Sequence, residues 1–423
     1  MHKVLAINRY TGIDTRSSIG QPDHPIANQP TAPSITEIHQ VFMSDGVPLA
    51  VSAARKALAE ARVDPAQITH TVSTTCTDSA NPGFDHYVAN ELGLSQGVEK
   101  VLLHGVGCSG GLAALRTAAN LCLGHAMRWK PARILVVALE VSTTMVRSEL
   151  DSIDASQETR IGVALFSDCG SAVVLTNGIP TEPQRDEQPA AAAPEPIYTL
   201  LGWENRVVPD TEADLGFDVD PLGWKVVLSP RVPKLTQAVL EPAYQALLAS
   251  LPPSSLTVPP AASPAAFDWA MHPGGATILT GAERALAITP EHMRASYDTY
   301  MAHGNSSSAT IFSVLDRLRH KDMDALAPGG RPKEHVVGCA FGPGITVEMC
   351  MLRRNLKLAG GRHADVWSGL QTPPETESEG SASGAPSEDG GNGGGGGRTA
   401  GLETRRDDEA AFVNEALDNL ELD

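Results

Sequence analysis

The stretch HGVGCSGGLAALRTAANL, residues 104–121, decides how this chain is read. An apolar run, VLLH at 101–104, leads into it, and an Ala/Leu-rich pattern of helical spacing follows. Between the two stands Cys108, flanked by glycines at 105, 107, 110 and 111 that permit a tight turn and close backbone approach of a ligand. A cysteine in the first turn of a helix faces unpaired N–H groups and the positive end of the helix dipole. Both lower a thiol pKa, so Cys108 reads as a candidate nucleophilic thiolate whose own N–H would serve an oxyanion. The competing reading is a small buried hydrophobe, the usual fate of a free cysteine, and local context leaves both open. Cys122, Cys169, Cys339 and Cys350 lie in apolar patterns and read as buried. Cys76, in the polar stretch STTCTDSANPG, reads as structural or pocket-lining.

Outward from this stretch, short apolar runs alternate with helical patterns up to about residue 358. Strands are expected at 68–74, 101–104, 133–141, 171–176, 268–271 and 335–341, and helices at 46–62, 109–127, 232–250, 276–287 and 306–320. The near-continuous apolar run Ile134–Leu139 suits a sheet covered on both faces, and the alternation favours βαβ units and an α/β fold. A Pro/Ala-rich stretch at 179–196 reads as a surface loop dividing the body into halves at 1–178 and 197–358. A second loop is expected at 251–265. Residues 359–423, with GGNGGGGG at 390–397, read as a disordered acidic Gly-rich tail, whose last segment has the pattern of an acidic amphipathic helix.

The formal net charge is −18, and residues 361–423 carry 14 acidic against 4 basic side chains. Without clustered Lys/Arg there is no nucleic-acid footprint. The six cysteines include no C-x-x-C pair, so no metal site is indicated and a reducing, cytoplasmic compartment is expected. The opening MHKVLAINRYTG lacks the apolar stretch of a signal peptide, and no run has the length of a membrane span.

A thiolate needs a base or cation beside it for acyl chemistry. His272 follows the apolar run DWAM and precedes Pro-Gly-Gly, a strand end well placed to enter a pocket. Asn305 follows Gly304 and opens a helical pattern. Taken singly, His272 reads as a hydrogen-bonded turn histidine and Asn305 as an N-cap. In combination, three junctions carry Cys, His and Asn, with Cys and His one in each half. Papain-type peptidases share that order, but their cysteine is followed by Gly-Ser/Ala-Cys and an aromatic, whereas Ser-Gly-Gly follows Cys108.

GVGCSGG at 105–111, ALFSDCGSAVV at 164–174, MHPGG at 271–275, HGNSSSA at 303–309 and AFGPGITVE at 340–348 together resemble the type III polyketide synthases, the chalcone- and stilbene-synthase-like enzymes. STTCTDSANPGFDHY is most similar to the fungal members, which favour long-chain acyl starters. The resemblance implies a thiolase-like layered αβαβα fold with two similar halves, a homodimer, and no metal or bound organic cofactor. Acyl-CoA and malonyl-CoA would be the substrates. Cys108 would hold the starter and growing chain as a thioester. His272 would pair with the thiolate and, with Asn305, stabilise the malonyl enolate. Phe166 matches a gate aromatic and Trp224 falls near a second; Thr75, Cys76, Ser142, Thr144, Met145 and Ser307 would line the cavity, with Gly342, Pro343 and Gly344 walling it. Lys3 matches a CoA-binding cation. The family pattern implies about fifty residues ahead of MHKVLAINRY, including a first strand. Products would be alkylpyrones, alkylresorcinols or resorcylic acids. Two rivals stand beside this: a single-round β-ketoacyl synthase III-like enzyme, and an inactive paralogue acting as dimer partner or scaffold.

Overall fold

The run RILVVALE at Arg133–Glu140 shows how the layers arise. Successive strand residues face opposite sides of a sheet. Ile134, Val136 and Ala138 pack on one side and Leu135, Val137 and Leu139 on the other, every one buried. A strand apolar on both faces needs cover on both.

The computed structural model describes residues 2–21, 23–156, 160–180, 194–220, 223–252 and 262–358. The expected tail at 359–423, and most of the stretches 179–196 and 251–265, lie outside them. The strands are β1 (His70–Thr74), β2 (Glu99–Leu103), β3 (Arg133–Glu140), β4 (Cys169–Thr176), β5 (Tyr198–Val207), β6 (Leu215–Asp220), β7 (Gly223–Leu228), β8 (Asp268–Met271), β9 (His335–Gly342) and β10 (Thr346–Arg354). One four-stranded sheet has the order β2-β1-β3-β4, parallel except for β4. The other has the order β5-β10-β9-β8, with β8 parallel to β9 and β10 antiparallel to both neighbours. Strands β6 and β7 form a separate hairpin.

The helices Gly110–Ala126 and Thr310–Leu318 lie between the sheets and share one core with Val72, Ile134 and Val136 of the first and Val336, Ala340 and Leu352 of the second. Outside the first sheet, Val47–Ala61 and Phe84–Leu92 cover Leu135, Val137 and Leu139. Outside the second, Val232–Ser250 and Ala276–Leu286 cover Trp269, Val337 and Met349. This is the layered αβαβα order of a thiolase-like fold. Buried ion pairs tie the layers. Arg294 grips Asp268 of β8 through two bonds of 2.8 and 2.7 Å, and Arg116 of the central helix grips Glu348 of β10 at 2.9 and 2.7 Å. The two sheets differ at one edge. Strand β10 is paired on both sides, whereas its counterpart β4 pairs with β3 alone among the described residues.

Candidate active site

Cys108 lies in the short 3-10 turn Gly107–Ser109, just ahead of the central helix that starts at Gly110. Gly107 holds a left-handed φ of 47°, and a Cβ there would stand 2.7 Å from Pro343 Cδ. A Cβ on Gly342 would stand 2.6 Å from the Val106 carbonyl oxygen. The loop at 342–344 is thus packed directly against the turn that presents the thiol.

The Cys108 thiol donates to Ser307 Oγ at 3.5 Å, and Cys76 Sγ lies 3.4 Å from the same hydroxyl. Ser307 reaches between them from a left-handed backbone, φ 48°, a costly conformation for a residue with a side chain. Its N–H donates to Asn305 Oδ1 at 2.8 Å, while Asn305 Nδ2 donates to the Gly274 carbonyl at 3.2 Å. Because an N–H only donates and a carbonyl only accepts, these bonds fix which way the amide points. Ser307 thus links the two, its N–H on Asn305 and its hydroxyl on the Cys108 thiol. Phe166 pairs with Asn305 through the backbone, flanked by Asn305 N–H to Leu165 O and Ser167 N–H to Asn305 O, each 2.9 Å.

His272 leaves β8 with its N–H on the Cys339 carbonyl at 2.7 Å. Its ring is buried, and neither ring nitrogen has a hydrogen-bond partner among the described residues. Burial pushes this imidazole down to about 4. Burial likewise pushes the Cys108 thiol up to about 11, against the downward pull of hydrogen bonds from Ser307 and Asn305. The low thiol pKa expected from helix position is therefore corrected. Cys108 precedes the helix, and loss of water outweighs the dipole. Burial thus favours the neutral form of both groups.

The sequence reading missed Glu140. It ends β3, is fully buried, and collects Cys76 N–H at 3.1 Å, Thr77 Oγ1 at 3.1 Å, Cys76 Sγ at 3.3 Å and Ser308 Oγ. Burial raises its pKa and these donors pull it back. Its signal was a lone charge closing an otherwise apolar strand. Thr75 joins the same group, 3.4 Å from Glu140 Oε2. Ser142, Thr144 and Met145 occupy a buried turn after β3. Thr144 donates to the Val141 carbonyl, and no hydrogen bond joins these three to Cys108, His272 or Asn305 among the described residues. Trp224 on β7 stacks on Phe217, and its hairpin meets the 342–344 loop through Gly344 N–H to Leu215 O, 2.8 Å. Lys3 lies in the helix His2–Tyr10, with its side chain outside the described set.

A thiolase-like fold that gathers a thiol, an imidazole and an amide at the ends of its two sheets defines a condensing, acyl-transferring enzyme. Residues 6–179 match the family described as chalcone and stilbene synthases, N-terminal domain, and residues 201–355 match the C-terminal domain. The chain belongs to that family and is a type III polyketide synthase. It is 40% identical over 365 residues to the type III polyketide synthase pspB of Penicillium soppii, covering 84% of this chain and 87% of that protein. It is 39% identical over 354 residues to the acylalkylpyrone synthase csyB of Aspergillus oryzae, covering 84% and 86%. Among solved structures, a type III pentaketide synthase from Neurospora crassa superposes with a TM-score of 0.78 at 74% identity, covering 84% of this chain and 91% of that one. Among the described residues no helix is long and apolar enough to cross a membrane.

Proposed function

We propose that the chain carries out iterative decarboxylative condensation of malonyl-CoA onto a long-chain acyl-CoA starter held as a thioester on Cys108. In this reading, the thiol sulfur attacks the acyl-CoA carbonyl, its proton passes to His272, and CoA thiol leaves. Malonyl-CoA then binds with its thioester carbonyl between His272 and Asn305. Loss of CO2 leaves an enolate, and each residue donates an N–H to the developing oxyanion; a neutral imidazole retains one such N–H. The enolate carbon attacks the Cys108 thioester, the C–S bond breaks, and the extended chain remains on CoA until it returns to the thiol. Decarboxylation supplies the carbanion, so the scheme calls for no metal or organic cofactor.

The observation that carries this reading is the pair of buried ring nitrogens on His272, unpartnered among the described residues, two residues from the Gly274 carbonyl that Asn305 holds, with Asn305 and the Cys108 thiol both hydrogen-bonded to Ser307. A buried polar atom without a partner in the resting protein is poised to receive one from substrate. The Aspergillus relative's name supports alkylpyrone products, and its structure complexed with CoA-SH supports CoA thioesters as substrates. Homodimerisation follows the family pattern, and six free cysteines suit a cytoplasmic setting. Incubation with malonyl-CoA and a panel of acyl-CoA starters, read by mass spectrometry, tests the scheme. Multiply extended, cyclised products are expected, and none from Cys108→Ala. A single extension without cyclisation, or product from Cys108→Ala, would overturn it.

A further inference from the structure

At the far end of the first sheet, away from Cys108, three side chains converge that the condensation does not use. His70 opens β1 and Glu99 opens β2, and the two are register partners. His125 lies in the last turn of the central helix, on the stripe of Ala118 and Cys122 that packs against the sheet. One ligand atom from each of the three lies within 4.8 Å of the others, and His70 Nε2 stands 3.7 Å from Glu99 Oε2. The two imidazole rings meet edge to face at 4.6 Å.

The surrounding hydrogen bonds fix both tautomers. Thr69 has one hydroxyl proton, donated to the Arg133 carbonyl at 3.0 Å. Its oxygen, 2.8 Å from His70 Nδ1, must therefore accept, so Nδ1 carries the ring proton. His70 Nε2 is then a bare lone pair in a side chain 98% buried, and it has no hydrogen-bond partner. In the same way His125 Nδ1 faces the Pro131 carbonyl at 3.3 Å, which only accepts, leaving Nε2 as that ring's lone pair. His70 Nε2 thus presents a lone pair to the Glu99 carboxylate, and a ligand atom of His125 lies within 4.8 Å of both groups. A histidine whose second nitrogen is anchored to a hydroxyl or carbonyl is the usual arrangement behind a metal ligand. Burial and the neighbouring His125 lower the His70 pKa against the pull of Glu99, which favours the neutral ligand form.

We propose that His70, Glu99 and His125 form a binding site for one divalent transition-metal ion of the zinc class, fastening the near ends of β1 and β2 to the end of the central helix. Two imidazoles and a carboxylate suit zinc, with water in the fourth position. Tetrahedral donors at bond lengths of ~2.1 Å stand about 3.4 Å apart. The Glu99 side chain is 73% exposed and free to swing inward by the ångström that closure needs. The same three elements run on to Thr75, to Cys108's turn and from Cys108 itself, roughly 15 Å away at strand rise. The ion would clamp the frame that presents the nucleophile without touching substrate.

The test is a Zn2+ titration of the full chain, stripped of metal by chelator and dialysed, followed by calorimetry in two buffers of different ionisation enthalpy. One ion per chain is expected, with at most one proton released per ion at pH 8, the one that zinc-bound water gives up, whereas ligation by two or more thiols would release more. Glu99→Gln, at an exposed position that cannot unfold the core, and His125→Gln should each weaken binding at least tenfold. Saturating zinc should raise the melting temperature of the parent and leave that of Glu99→Gln unchanged. Absence of saturable binding, release of more than one proton per ion, or an affinity in either variant equal to the parent's would overturn the site.

Discussion

Cys108 and His272 are each driven toward neutrality by burial, and each is the other's natural counter-charge. Charge separation requires the imidazole to take the thiol proton inside the pocket, where an ion pair is screened little. His272→Gln removes that acceptor while keeping a hydrogen-bonding side chain. Alkylation of Cys108 by iodoacetamide at pH 7 should then slow at least tenfold. A thiol raised to about 11 gains thiolate only with rising pH, so the variant's rate should climb through pH 9 without a plateau. An unchanged rate at pH 7 would show that His272 does not act on the thiol. Glu140 carries a different prediction. Its oxygens satisfy donors from Cys76, Thr77 and Ser308, and Glu140→Ala strands them in a dry site. Leaving buried donors unmet should cost roughly 2–4 kcal/mol in urea unfolding. A loss below the low end of that range would mean that water replaces the carboxylate. Apart from its place as a lone charge closing an apolar strand, nothing in the sequence marks Glu140, because it acts behind Cys76 and lacks a motif of its own. Cys108 and His272 stand out in the sequence because each occupies a glycine-rich junction between strand and helix, whereas Asn305 lies between two helices and is marked only by its combination with them.

Among the elements, those with one clean periodicity were legible and those stabilised by partners were not. Strands β1, β3, β8 and β9 fall where their apolar runs placed them. Strand β10, TVEMCMLRR, carries Glu348 and Arg354 in buried positions made tolerable by Arg116 and Asn205 for the first and by Asp324 and the Arg319 carbonyl for the second, so its sequence looks unlike a core strand. Strand β5 ends in the exposed residues Asn205, Arg206 and Val207 and owes its place to pairing with β10. The helix Arg294–His303 was likewise missed, since its anchoring residue is a charge. Arg294→Met leaves Asp268 buried without its counter-charge, held only by the Lys333 N–H among its described partners, and should cost about 3–5 kcal/mol. Asp268→Leu in the same chain should restore part of that loss, and no restoration would mean that packing rather than the unpaired charge sets the cost. The interlocked loop gives a prediction of its own. In Gly342→Ala the new methyl collides with the Val106 carbonyl and the Ser109 side chain, forcing the turn that holds Cys108 to move. Turnover should fall more than tenfold while unfolding changes by only about 1–3 kcal/mol. Unchanged turnover would show that the turn tolerates displacement.

Across the whole molecule, the two sheets play matched roles, and the match exposes one asymmetry. Strands β3 and β9 are the central strands, and β4 and β10 follow as antiparallel partners. Strand β10 receives β5 on its outer edge, while β4 offers its outer edge unpaired among the described residues. Its side chains are mostly half-buried even though the helix Val47–Ala61 packs so closely that a Cβ on Gly170 would touch the Leu49 and Ala50 backbone. An open edge leaves alternate N–H groups to solvent, and such amides exchange without any opening of the fold. Hydrogen exchange of the purified chain at low concentration should therefore divide the sheets. The outward amides of Cys169–Thr176 should exchange roughly a hundredfold faster than those of Thr346–Arg354, whose neighbours on both sides hold them. Equal protection would mean that a segment outside the described residues, or a second copy of the chain, completes the first sheet as β5 completes the second. Repeating the measurement over a range of protein concentration separates those two, because only a second copy loses its protection on dilution.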